Sequence, residues 1–211
     1  MTKQEQPTEV AVILDRSGSM GVVADETVKG FNKFVKEQPP GTLISLSQFD
    51  AVSGEPTVQD VFEQRPTKEA TIRSADYRPR GMTPLMDAVG SVVSRLRDRK
   101  PKGKVIVLIV TDGLENASRE WSRERVRELI AKMRKKGWQF VFMGADIDAY
   151  AESDSLGMAA GSTYGYVNSA IGTRAAWGNV STAAASYTSG ASSAVDMPDH
   201  DTSQDDPVTS L

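Results

Sequence analysis

The chain predicts an α/β fold: a doubly wound, mostly parallel, Rossmann-like sheet of order 3-2-1-4-5-6, with one antiparallel edge strand and flanking helices. Two observations carry this reading. Short apolar runs typical of strands covered on both faces alternate with segments of helical periodicity. Two strand-like stretches, 43–49 and 57–62, are separated only by a brief turn around Ser53-Gly54-Glu55. That is too short for a parallel crossover, so they pair as a hairpin.

The elements follow in order. Val10–Leu14 is a continuous apolar run and reads as a buried strand. From Val23 to Lys36, Val28, Phe31, Phe34 and Val35 recur on one helical stripe, which Pro39-Pro40-Gly41 stops. After the hairpin, Thr83-Pro84 opens a helix with Thr as N-cap and Pro in the first turn, burying Leu85, Val89, Val92, Val93 and Leu96. Lys104–Val110 is the most strand-like run and is central. A helix from Arg119 to Lys136 turns Val126, Leu129, Ile130 and Met133 inward, and Gly137 ends it before the strand 138–143. A short helix near 147–156, a strand-like piece at 161–167 and an amphipathic helix over 173–187 complete the domain. Trp121, Trp138 and Trp177 read as packing residues.

Composition narrows the chemistry. The 211 residues contain no cysteine and one histidine, His200, in a polar stretch, which argues against thiol, disulfide, iron–sulfur, cysteine–zinc and histidine-based sites. No apolar run reaches the roughly 18 residues of a membrane span. The polar start is not a secretory leader, and a cytoplasmic setting, bacterial or phage, is the expectation. All 25 Lys and Arg lie at or before Arg174, whereas Asp196, Asp199, Asp201, Asp205 and Asp206 lie beyond it. A domain over 1–188 followed by a disordered acidic tail, 189–211, is therefore expected. Basic runs at 95–104 and 119–136 invite a nucleic-acid partner, but Glu120, Glu124 and Glu128 interleave at helix ion-pair spacing and argue against one.

In sheets of this order, sites lie beyond the carboxyl ends of the strands, where the strand order reverses. The first strand runs into Asp15-Arg16-Ser17-Gly18-Ser19, and the strand at 104–110 runs into Thr111-Asp112-Gly113. Residues 15, 17 and 19 alternate along a loop that Gly18 allows to turn tightly. Thr83 offers a third hydroxyl from another loop. Five oxygen donors from three loops suit a hard divalent cation such as Mg²⁺, Mn²⁺ or Ca²⁺. Each piece also has a plainer reading: Thr83 as a cap, Ser17-Gly18-Ser19 and Asp112-Gly113 as turns. Arg16, Arg80 and Glu115 flank the loops as candidate partner-binding rim residues, with solvated charge or helix capping as the alternatives.

Asp15-x-Ser17-x-Ser19, then Thr83, then Asp112 in a Thr-Asp-Gly turn, resembles the metal-ion-dependent adhesion site of von Willebrand factor A domains, over roughly residues 8–165. The resemblance implies that Ser17 and Ser19 bind the metal directly and Thr83 directly or through water. Asp15 and Asp112 would act mostly through water. A partner protein's Asp or Glu would complete the octahedron, making the chain a non-enzymatic, metal-dependent protein-binding module. The alternatives are a Mg²⁺-dependent phosphohydrolase of the haloacid-dehalogenase type and a structural subunit with a vestigial site. Such a phosphohydrolase usually needs a second acid two residues after the first aspartate, and that position is Ser17.

Overall fold

The computed structural model describes residues 6–145 and 148–198. Six strands form one sheet in the order β3-β2-β1-β4-β5-β6. They are β1 (Glu9–Asp15), β2 (Leu43–Val52), β3 (Glu55–Pro66), β4 (Val105–Thr111), β5 (Gln139–Ala145) and β6 (Thr163–Tyr166). All neighbouring pairs are parallel except β2 with β3. The expected strand order and antiparallel edge are therefore what the chain adopts. The hairpin turns at Ser53 (φ 53°) and Gly54 (φ 78°). Two consecutive left-handed residues give the two-residue turn whose twist matches that of the strands. The hairpin runs further than its apolar pattern indicated, because most of β3 is exposed and carries polar residues.

β1 and β4 lie at the centre of the sheet and are buried throughout. Alternate residues face opposite layers, as the two-residue period of a strand requires. Val10, Val12 and Leu14 join a core with α1 (Ala24–Glu37) and α5 (Ala170–Ser189). Ala11 and Ile13 join a second core with α2 (Leu85–Asp98), α3 (Arg123–Arg134) and α4 (Ala149–Ser155). Trp177 of α5 is wedged against Phe31 and Phe34 of α1, with ring centroids 6.1 and 5.8 Å apart. Gly30 makes room for it, since a Cβ there would stand 2.2 Å from the indole.

Several boundaries differ from expectation. Residues 119–122 are not helical; α3 starts after Ser122, whose hydroxyl accepts from the Arg125 N–H. Ile147, expected to open α4, lies outside the described residues. α5 is longer than its stripe and ends at Gly190, which has φ 81°. The stretch expected to leave the body at 189 does not do so at once. Val195 and Met197 are buried in the α1–α5 core. The Val195 N–H donates to the side chain of Gln139, the first residue of β5, and the Met197 N–H donates to the Gly161 carbonyl just before β6. The rest of the expected tail, 199–211, lies outside the described residues.

Residues 6–8, the 102–104 turn and the end of α5 meet at the amino-terminal pole of the strands, around a cavity of about 890 Å³. Among the described residues no helix is long and apolar enough to cross a membrane.

Candidate metal centre

The opposite pole gathers the ends of β1 and β4. Asp15 is the last residue of β1 and is fully buried. Its Oδ1 accepts the Ser17 N–H at 2.6 Å and its Oδ2 accepts the Thr111 hydroxyl at 2.6 Å. The loop then folds into a short 3-10 turn over Gly18–Val23. This places Ser17 Oγ and Ser19 Oγ 3.2 Å apart, and the Ser19 hydroxyl donates to Asp112 Oδ1 at 2.6 Å. Asp112 follows β4 directly and is mostly buried.

The third loop is stitched to the first by backbone. The Gly18 N–H donates to the Gly81 carbonyl and the Arg80 N–H to the Arg16 carbonyl, at 3.1 and 2.8 Å. Gly81, at φ 68°, lets that loop press against the end of β2, where a Cβ would collide with the Ala51 carbonyl. Thr83 is buried beside Gly113; a side chain at 113 would come within 3.0 Å of Thr83 Oγ1. Asp15, Ser17, Ser19, Thr83 and Asp112 are thus drawn from three loops that touch one another.

Thr83 does not cap α2, contrary to expectation. α2 begins at Leu85 and its amino end is capped from a distance by the β4–α3 loop. Glu115 Oε2 accepts the Met86 N–H at 2.8 Å and Ser118 Oγ accepts the Asp87 N–H at 3.0 Å. Asn116 brackets Thr83 on both sides, its Oδ1 accepting the Thr83 N–H and its own N–H donating to the Thr83 carbonyl. The Thr83 hydroxyl serves no helix N–H of α2 and lies beside Gly113.

The three rim candidates separate. Arg16 is buried rather than exposed: its Nε donates to Asp50 Oδ2 at 3.1 Å and its Nη1 to Gln48 and Gln59. Arg80 donates to the same Asp50 oxygen at 2.6 Å, yet its side chain stays more than half exposed. Glu115 is committed to capping, since it also accepts from Ala117 N–H, Ser118 N–H and the Ser118 hydroxyl. Four donors thus hold the carboxylate in place, although the residue stays partly exposed.

Three contributors escaped the sequence reading. The Thr111 hydroxyl orients Asp15, the Tyr77 hydroxyl donates to the Asp15 carbonyl, and Asn168 Nδ2 donates to Asp112 Oδ2 at 3.1 Å. Thr111 stands inside the Thr-Asp-Gly string and was legible there. Tyr77 and Asn168 belong to loops remote in sequence and carried no local signal.

Burial pushes the Asp15 carboxyl up to about 7, with the neighbouring Asp112 charge adding to the rise and the hydrogen bonds from Thr111 and Ser17 opposing it. Burial disfavours the charged form of a carboxyl, and a second carboxylate nearby disfavours it further. Among the described residues no group of three or more His, Cys, Asp or Glu could hold a metal. The donor set is instead two carboxylates and three hydroxyls, all oxygen, which fits a hard divalent ion in an octahedral shell that retains waters.

The sequence profile of the von Willebrand factor type A domain matches residues 9–172. The chain belongs to that family. This von Willebrand factor A domain is 28% identical over 131 residues to the uncharacterized protein YwmC of Bacillus subtilis (strain 168), covering 54% of this chain and 58% of that one. It therefore spans less than two thirds of that curated relative. Proximal thread matrix protein 1 from the mussel byssus, in a structure with a zinc-occupied MIDAS motif, superimposes with a TM-score of 0.64 at 16% identity, over 86% of this chain and 46% of that chain. Manganese-loaded TRAP protein of Plasmodium vivax gives 0.60 at 16% identity, over 81% and 72%. At these identities the likeness is one of fold.

Proposed function

We propose that this chain is a divalent-metal-dependent protein-binding module, and that it captures a partner through an Asp or Glu side chain. The observation that carries the reading is the chain of contacts Asp15–Ser17–Ser19–Asp112, with Thr83 released from capping and packed beside Gly113. Ser17, Ser19 and Thr83 would hold the ion directly, and Asp15 and Asp112 would hold its waters. When bound, a divalent ion supplies a positive centre for an incoming carboxylate. Two buried carboxylates balance its charge, so that carboxylate does not approach a net negative pocket. The metal-loaded structures of mussel and Plasmodium relatives of this fold support a metal here, with Mg²⁺, Mn²⁺ or Ca²⁺ as the candidates.

The phosphohydrolase reading is not favoured. Position 17 holds a serine where an acid would be needed to protonate a leaving group, and both Asp15 carboxylate oxygens already accept hydrogen bonds. Isothermal titration with Mn²⁺ and with Mg²⁺ tests the proposal: the wild type binds one ion, while Ser19→Ala and Asp112→Asn, folded by circular dichroism, bind at least tenfold more weakly. Equal binding by all three proteins would remove the site.

A further inference from the structure

The amino-terminal pole of the sheet, remote from Asp15, carries a feature that the metal-dependent reading does not use. Its cavity of about 890 Å³ is bounded by residues that precede β1, β2, β4 and β5 and by the end of α5. Three lysines, Lys102, Lys104 and Lys136, line it, and among the described residues no acid does. Glu9, next to the lining residue Thr8, turns its carboxylate away to Arg99, Ser45 and Gln64.

Helix ends account for one of these lysines and not for the other two. α1, α3 and α5 all finish at this pole, and the carbonyl ends of helices attract cations. Lys104 serves that purpose: its Nζ donates to the Tyr187 carbonyl at 2.6 Å and lies 4.7 Å from the centre of the Tyr187 ring. The Lys102 and Lys136 ammonium groups make no hydrogen bond or ion pair among the described residues.

The chain brings a counter-charge to the same rim. Ser189 and Gly190 line the cavity, and Met197 is bonded to Gly161 just before β6. Between them, the Val195 N–H donates to Gln139, two residues after the lining Gly137. Beyond Pro198 come Asp199, Asp201, Asp205 and Asp206, with no Lys or Arg. The free lysines precede β5 and β4, one and two strand spacings from β6, or about 5 and 10 Å sideways. An extended chain advances up to about 3.4 Å per residue. Asp201, four residues past Met197, covers that span, and Asp205 and Asp206 exceed it.

We propose that the acidic segment 199–206 folds back over this cavity and lies against Lys102 and Lys136. Exposed ion pairs are weak singly, but the tether at Met197 makes the encounter intramolecular and raises the effective concentration of the acids. The contact closes the amino-terminal pole and leaves the Asp15 pole untouched.

Nuclear magnetic resonance of the full chain tests it. Wild type is compared with a tail variant, Asp199→Asn/Asp201→Asn/Asp205→Asn/Asp206→Asn, and with a cavity variant, Lys102→Gln/Lys136→Gln. In wild type at low ionic strength the amides of 201–206 are expected to show restrained motion. Either variant releases them, as does about 1 M NaCl, where the screening length falls to about 3 Å. The tail variant is also expected to shift the amides of Gly103, Gly137 and Gly190 while those of Ser17, Ser19 and Asp112 stay in place. Equal motion in wild type and tail variant, shifts that gather outside the cavity, or restraint that survives in the cavity variant would each overturn the proposal. Restraint that fades on dilution would overturn it too, giving the cavity to the tail of a second copy. Pyrophosphate that shifts the cavity amides with equal affinity in wild type and tail variant would show that no tail competes, and would give the cavity to a free anion.

Discussion

Asp15 is held by Ser17 and Thr111 in a pocket that resists its charge, and that conflict sets a pH signature for the metal-free protein. Burial raises its carboxyl to about 7, above the ordinary carboxylate value of 3.8. Between those values the folded chain keeps the proton and the unfolded chain has lost it. Stability from this group therefore falls as pH rises through that window, and the full cost is present above 7. In chelator, the thermal midpoint of wild type relative to Asp15→Asn is expected to rise between pH 8 and pH 5. A pH-independent difference would place the charge elsewhere. Thr83 offers a second residue-scale outcome. Thr83→Val removes a buried hydroxyl that caps nothing, so Mn²⁺ affinity drops roughly tenfold while the thermal midpoint measured without metal stays near wild type. A large drop in that midpoint would restore Thr83 to a structural role. Asp15, Ser17, Ser19 and Asp112, the proposed donors, stood out in the sequence because they follow the ends of β1 and β4 in short strings; Thr83 stood out only as a hydroxyl at the start of a helix. The uses of Arg16 and Glu115 did not, because burial against Asp50 and long-range capping leave no mark on neighbouring sequence.

At the scale of elements, the β4–α3 loop and the amino end of α2 hold one another. Glu115 and Ser118 serve α2, and Asp87, buried in its first turn, accepts the N–H groups of Arg119, Glu120 and Trp121 at 2.8, 2.9 and 2.7 Å. This exchange holds 119–121 as a loop against α2, and α3 begins only after its local cap, Ser122. Asp87→Ala leaves three donors without their buried acceptor and is expected to cost about 3 kcal/mol in urea denaturation. It should also speed amide exchange at 119–121. Unchanged exchange at those residues would mean that the loop is fixed by other contacts. Helix existence was visible in the 3.6-residue periodicity; the start of α2 was displaced because Glu115 and Ser118, distant in sequence, replaced the expected local cap.

For the whole molecule, the doubly wound class and its antiparallel edge followed from alternating apolar runs and one short turn, whereas the limit of the folded body did not. Val195 and Met197 stand among Ser, Asp and Pro residues with no periodicity, and they are buried because α5 delivers them to the starts of β5 and β6. Deleting 191–211 is accordingly expected to lower the thermal midpoint by several degrees more than deleting 199–211, since two buried apolar side chains are removed only by the longer cut. Equal midpoints would show that the 191–198 segment adds nothing to the body. The same geometry has a bearing on how the protein is displayed. Gln6 lies at the amino-terminal pole, and Met197 is bonded there to Gly161. A linker or solid support joined through either described end therefore departs from the pole remote from Asp15, and the ends of β1 and β4 are turned toward open solvent.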